Sequence, residues 1–475
     1  MDLALNEVQT MLQNSAREFM VAEMPKSRVL EIDDSPSGFA VDLWEKMCGI
    51  GWSGMAVPEE YGGFGANFRL SAVIVEEASR AGYGALASNI SVHSDIVAPY
   101  ILHLGTEEQK QAWLPKMVTG EAVGAIGMTE PGAGSDLQGM KTRADKDGDG
   151  YSISGQKTFI TNGQHCDVIV LATKTDPNAG SKGMTLFTVD CSLPGFARGR
   201  NLEKMGHHAA DTSELFFEDV KVGADQILGG EGKGFANLMN ELPRERLILA
   251  LGAIAACEGM IERTIEYTKE RQAFGKPISS LQNTRFVLAD LHAQVVVNRA
   301  YGEQCIDQYD RGELTATNAS IAKLTTTELQ GVVADKCLQL FGGYGYMQEY
   351  PISRDYVDAR KNRLQEMEAT GLFEDGYFDD EAHMSTSETE GAALMLPFFG
   401  LTELPAIAAP LGGASYSPPG KDVTFATNVY APMMVGFYRQ EDDPGRFIGE
   451  RMSLMHLTYF SPSFGLKVTD EFAVG

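Results

Sequence analysis

Apolar residues recur at helical spacing from Asn6 to about Gly120, so this stretch is predicted to be a run of helices. The first begins almost at the N-terminus, with Leu5, Val8, Met11, Leu12 and Ala16 on one stripe. Thr106, followed by Glu107 and Glu108, has the chemistry of an N-cap and acidic first turn for a helix through QKQAWLPKMVTG. GWSGMAVPEEYGG, from Gly51 to Gly63, reads as an inter-helix loop marked by Pro58 and paired glycines. Near Ala122 the pattern changes. From there to about Leu228 short β-prone runs (YSISGQKTFITNG, CDVIVLATKTD, GMTLFTVD, ELFFEDVKV) alternate with turn residues, predicting a small β domain. Helical periodicity returns at Gly234 and lasts to about Gln365. It divides into a long helix with a small-residue stretch (Ala253, Ala255, Ala256), a second ending at Gly312, and a third through IAKLTTTELQGVVADKCLQLFGG. Long antiparallel helices of this kind make a bundle.

Beyond Leu364 the composition shifts. No Lys or Arg occurs until after Gly420, acidic residues cluster in EMEATGLFEDGYFDDEA, and Pro397, Pro405, Pro410, Pro418 and Pro419 follow. The strand-like VTFATNVYAP comes after Lys421, and a small α+β unit from about Leu394 is expected there. The scattered aromatics Phe398, Phe399, Tyr430, Phe437, Tyr438 and Tyr459 are expected in its core. The predicted architecture is therefore α+β and multidomain. An N-terminal helical domain (1–121) precedes a middle β domain of barrel or sandwich type (122–230). A C-terminal helical bundle (231–363) and an atypical acidic, then Pro-rich extension (364–475) follow.

At 475 residues the chain is too long for one core, which agrees with this division. A net charge of −26 disfavours nucleic acid and anionic membranes as partners, so any anionic ligand must find its positive contacts locally. No apolar run is long enough to predict a membrane span, and the N-terminus has neither signal- nor transit-peptide composition, so a cytoplasmic location is expected. Six scattered cysteines lack C-x-x-C or Cys/His spacing and are expected to be buried free thiols. DKDGDG opens like a calcium loop, but the loop's later acidic ligand is missing, so a hairpin turn is expected instead.

The densest chemistry lies in GAIGMTEPGAGSDLQG, Gly124–Gly139, where closely spaced glycines stand beside Thr129, Glu130, Ser135 and Asp136. Such a loop exposes backbone N–H groups to a phosphate or a heterocycle oxygen. It is neither a dinucleotide fingerprint nor a P-loop, and by itself it is equally a crossing between domains. KTFITNG reads as a β run ending in a turn. In RQAFGKPISSLQ a helix–loop–helix corner explains Gly275 and Pro277 but not Arg271, and CLQLFGG ends a helix at paired glycines. Glu245, between Arg244 and Arg246 at the head of a very apolar helix, is either a capping or salt-bridging Glu or a carboxylate against an apolar wall. The second setting raises a carboxylate's pKa towards that of a useful general base.

TEPGAGSD, GQKTFITNG, ELFFEDVKV, RQAFGKPI and LQLFGGYGYMQEYPISR, in this order, resemble the acyl-CoA dehydrogenase family from about residue 4 to Arg360. Around ELPRERLILA the sequence is most similar to the long-chain branch. The resemblance implies FAD as cofactor. Met128 and Thr129 would lie at the isoalloxazine ring, Gly134 and Ser135 at the flavin phosphates and the thioester, and Phe159, Ile160 and Thr161 on the opposite wall. Arg271, Phe274 and Gln282, with the loop Gln339, Leu340, Phe341, Gly342 and Gly343, would reach FAD from a neighbouring subunit of a homo-oligomer, tetramer or dimer. It further implies α,β-dehydrogenation of acyl-CoA to trans-2-enoyl-CoA. Glu245 would take the α proton, the flavin N5 the β hydride, Arg246 would help hold CoA, and electron-transfer flavoprotein would receive the electrons.

The resemblance stops after Arg360, where the family's closing segment is replaced by KNRLQEMEATGLFEDGYFDDEAHMSTSE. Met384 with the Ser-Thr-Ser-Glu after it resembles the start of a separate protein, which suggests a fusion. Two other readings stand beside the dehydrogenase: an acyl-CoA oxidase using dioxygen, and a non-catalytic protein of the same fold that no longer holds FAD.

Overall fold

The computed structural model describes residues 6–35 and 37–364. Beyond them it describes only the strand segments Met395–Leu396, Gly400–Leu401, Leu411–Tyr416, Val423–Tyr430, Tyr459–Lys467 and Ala473–Val474. It has two compact units, Met1–Gly371 and Leu372–Gly475.

The first unit begins with helices α1 (Glu7–Glu23), α2 (Lys26–Asp33), α3 (Val41–Gly49), α4 (Phe68–Arg80) and α5 (Gly84–Ile90). A π-helical segment, Ser91–Val97, leads on to α6 (Ala98–Leu104), and α7 (Glu107–Thr119) follows. Thr106 caps α7 as its sequence foretells, its hydroxyl accepting from Gln109 N while Gln109 reciprocates. The predicted stripe on α1 needs correction. Val8 and Met11 are exposed (61% and 67%), and the buried side is carried by Ala16 and Met20, with Leu12 and Phe19 packed against them. Spacing located the helix but not which of its edges meets the core.

Next come β1 (Gly124–Gly127), β2 (Arg143–Asp147), β3 (Gly150–Thr161), β4 (Val168–Lys174), β5 (Met184–Asp190), β6 (Phe196–Asn201), β7 (Thr212–Gly223) and β8 (Ile227–Leu228). They form one eight-stranded sheet in the order β6-β7-β3-β2-β4-β5-β8, with β1 parallel to β4. DKDGDG is the β2–β3 hairpin, Asp147 pairing with Gly150 across it. His93 joins helices to sheet. Its Nε2–H donates to Met117 O (3.0 Å) while Nδ1 accepts from Gly124 N (3.0 Å), the first residue of β1. Burial lowers its pKa to about 4, so the imidazole stays neutral and can do both.

The bundle consists of α8 (Gly234–Glu270), α9 (Gln282–Asp310), α10 (Ala316–Phe341) and α11 (Pro351–Leu364). Between α8 and α9 the predicted corner contains a minimal hairpin, β9 (Gln272–Ala273) and β10 (Lys276–Pro277). α8 packs hard against α4. A Cβ on Gly259 would lie 1.9 Å from Arg80 O, so only glycine fits there. Buried ion pairs fix the same joint: Arg299 of α9 bonds both Glu76 of α4 and Glu258 of α8, and Arg69 bonds Glu76 (3.0 Å) and Glu303 (2.8 Å). All six cysteines are free and buried, and no helix among the described residues is long and apolar enough to cross a membrane.

In the second unit β11 (Met395–Leu396) pairs with β12 (Gly400–Leu401). β13 (Leu411–Tyr416), β14 (Val423–Tyr430), β15 (Tyr459–Lys467) and β16 (Ala473–Val474) form an antiparallel sheet. Tyr430 faces Tyr459 in the β14–β15 register. Phe398, Phe399, Phe437, Tyr438 and Met384 lie outside the described residues.

Candidate active site

Glu245 sits in the fourth turn of α8, since the helix already begins at Gly234. It is therefore no capping residue. From Leu247 to Cys257 α8 is entirely apolar and nearly all buried, an apolar wall that follows directly on the carboxylate. Tyr100, fully buried on α6, donates its hydroxyl to Glu245 Oε1 at 2.8 Å. Burial is the strongest influence on Glu245. The Tyr100 bond opposes it, nearby Glu241 reinforces it, and the outcome is a pKa of about 7. The neighbouring arginines divide their roles. Arg244 is buried against Asp95 (3.5 Å) and over the Phe68 ring, whereas Arg246 bonds Ser320 Oγ (3.1 Å) and faces the same cavity as Glu245.

That cavity, of about 260 Å³, is the central feature of the site. Glu245, Arg246 and Thr161 line it, and it continues between α4 and α8 past Val75, Ser79, Gly252, Ala253 and Ala256. The π segment supplies Ser91, Val92 and Ile96, which its wider turn brings into one wall. Along α8 the lining runs from Leu242 to Met260, a span of about 27 Å at 1.5 Å per residue. The cavity is long and narrow.

The glycine loop meets this region through β3. Thr158 N donates to Thr129 O (2.9 Å) and Lys157 Nζ to Met128 O (3.0 Å), placing Met128 and Thr129 beside the end of β3. Glu130 has a structural task. It accepts from Lys141 N (2.6 Å) and Thr142 N (3.0 Å) and forms a buried ion pair with Lys157 (2.8 Å). Burial opposes both charges. It lowers Lys157 to about 8, while Lys157 and the other donors still hold Glu130 below the usual carboxylate range. Asp136 caps its own turn through Gly139 N (3.1 Å), leaving Ser135 exposed and Gly134 half-buried on the loop.

Phe159, next after Thr158 on β3, has φ +60° and is 66% exposed, a strained backbone presenting an aromatic ring to the outside. Thr161 faces the cavity, but Ile160 is buried in the β-domain core, so its side chain cannot form part of that wall. The remaining predicted residues stand apart from the cavity. Arg271, Phe274 (90% exposed) and Gln282 lie at the α8–α9 corner; Gln339, Gly342 and Gly343 are exposed where α10 ends; Leu340 is half-buried. Phe341 is a core residue instead, stacked on Tyr267 with ring centroids 4.0 Å apart. Tyr100, Gly252 and Lys157 carry parts of the site for which the sequence suggests no role. Gly252, in a run of small residues, and Lys157, at the start of KTFITNG, left a trace; Tyr100 left none.

The domain families "Acyl-CoA dehydrogenase, N-terminal domain", "middle domain" and "C-terminal domain" match residues 6–121, 125–220 and 232–366 in turn. The mouse mitochondrial long-chain specific acyl-CoA dehydrogenase is 46% identical over 321 residues, 67% of this chain and 74% of the relative. The crystal structure of an acyl-CoA dehydrogenase from Geobacillus kaustophilus superposes with a TM-score of 0.73 at 45% identity, covering 76% of this chain and 95% of that one. An acyl-CoA dehydrogenase from Bacillus anthracis complexed with FAD superposes with a TM-score of 0.71 at 30% identity, over 76% and 64% of the two chains. The chain belongs to the acyl-CoA dehydrogenase family, flavoprotein oxidoreductases that act on the CH–CH group of acyl-CoA thioesters.

Proposed function

We propose that this protein dehydrogenates long-chain acyl-CoA at the α,β bond, with Glu245 as the base for the α proton. One observation carries the reading: the carboxylate and Thr161 of the β domain line the same narrow cavity, which then runs on between α4 and α8. At neutral pH a carboxylate with a pKa of about 7 is substantially ionised yet basic enough to accept a carbon-bound proton from a polarised thioester. Tyr100 fixes the direction of its Oε1, and Arg246 supplies positive charge for the CoA portion.

The residues fit FAD. Phe159, exposed on strained backbone, follows Thr158 on β3, which pins the glycine-rich loop at Thr129; the loop runs on to Gly134 and the exposed Ser135, and Thr161 of the same strand faces the cavity. When bound there, FAD supplies the acceptor for the β hydride. The chain's own part is to hold the ring, place the acyl α carbon by Glu245 and keep water from the apolar wall of α8. The exposed Phe274, Phe286 (64%) and Val297 (68%) support a homo-oligomer, tetramer or dimer, in which Arg271, Gln282 and Gln339 to Gly343 complete a neighbour's cofactor site. Electron-transfer flavoprotein is the proposed electron acceptor.

Anaerobic titration of the FAD-loaded protein with hexadecanoyl-CoA tests this. The visible flavin bands should bleach, and Glu245→Gln should keep its flavin but lose the bleaching. Undiminished bleaching in that variant would remove Glu245 from the role of base.

A further inference from the structure

The cavity does not end on an apolar cap. At the end remote from Glu245 its lining changes to Asp355, Asp358 and His207, each less than a tenth exposed. Asp355 is already committed to Arg263 of α8 (2.7 Å), and Met260, the last α8 residue lining the cavity, is fifteen residues beyond Glu245, so this end lies about 22 Å away along the helix. Asp358 is held differently. Its Oδ1 accepts the backbone N–H of His207 at 2.6 Å, in a loop where His207 takes the left-handed φ of +52°. Its Oδ2 is on the side of Gly84, where an added Cβ would lie 3.9 Å from Oδ2 and 3.2 Å from His207 Nε2. Gly84, His207 and Asp358 together line the cavity, so glycine keeps open the space between carboxylate and imidazole.

A terminal methyl group reaching this end would cover the buried carboxyl group without offering it a hydrogen bond, which is costly. A second carboxylate on the ligand would meet Asp358 and Asp355. A hydroxyl suits the site, donating to Asp358 Oδ2 while adding no charge. We propose that the far end of the channel recognises a hydroxyl group at or near the ω end of the acyl chain, with Asp358 as the accepting residue, so that ω-hydroxyacyl thioesters are the preferred substrate class. The proposal rests on reading the cavity as the acyl channel.

The test separates binding from turnover. FAD-loaded protein is titrated calorimetrically with two unreactive thioethers, hexadecyl-CoA and its ω-hydroxy counterpart. The hydroxylated ligand should bind roughly tenfold more tightly, the scale of one hydrogen bond. Gly84→Ala, which places a methyl group between His207 and Asp358 on a backbone that tolerates it, should abolish the difference, and Asp358→Asn should reduce it severalfold. Equal or weaker binding of the hydroxylated thioether by the unmodified protein overturns the proposal; so does a preference that survives in Gly84→Ala. Failure of either ligand to bind overturns the channel reading with it. Absence of flavin bleaching by hexadecanoyl-CoA, with the binding preference intact, would refute the dehydrogenase reading alone.

Discussion

Replacing Tyr100 by Phe removes one hydroxyl and leaves a ring of the same shape in the core. The lost bond is the 2.8 Å donation to Glu245 Oε1. It stabilises the ionised carboxylate, so its removal must raise a pKa that burial has already pushed to about 7. A hydrogen bond to a charged group contributes roughly 1.5–3 kcal/mol, or about one to two pKa units. The base would then titrate near about 8–9, and ionisation at pH 7 would fall roughly five- to fifty-fold. The assay is the pH profile of kcat/KM for dye-linked oxidation of hexadecanoyl-CoA. Its acid limb, which requires the base deprotonated, should move up by about one to two units while the alkaline plateau changes little. A uniform fall in activity with an unmoved limb would refute the argument, because it would mean that Tyr100 shapes the site without tuning the carboxylate.

Ala256→Leu narrows the channel midway along α8 and should lower kcat/KM for hexadecanoyl-CoA at least tenfold while sparing butanoyl-CoA; equal losses on both would place the acyl chain elsewhere. Lys157→Met leaves Glu130 buried and charged without its partner. The expected cost is about 3–5 kcal/mol in chemical denaturation, with weaker FAD binding because the glycine loop loses its anchor; an unchanged denaturation midpoint would rule out the pairing.

Much of this architecture was legible because its signals are local. The Thr106 cap, the end of α10 at Gly342 and the β2–β3 hairpin each depend on a few adjacent residues, and all three stand where those residues place them. The site was legible only in part. Glu245 was visible as a carboxylate leading an apolar run, but its hydrogen-bond partner lies 145 residues away, and nothing around Tyr100 announces a donor. Side-chain direction was the other loss. Ile160 and Phe341 lie within the expected motifs, yet one turns into the β core and the other stacks on Tyr267. Glu130 looked chemical by its company and serves to tie down a loop.

His93 gives the molecule an acid limit at a particular seam. An unfolded histidine takes up its proton near pH 6.5, whereas this one resists until about 4, so falling pH across that interval draws the equilibrium away from the folded state. Once protonated, Nδ1 can no longer accept from Gly124, and the contact that fails is the one joining the helical wall of the acyl channel to the first strand of the β domain. Acid inactivation should therefore begin as the parting of two intact halves, with channel and cofactor wall separated before either has melted.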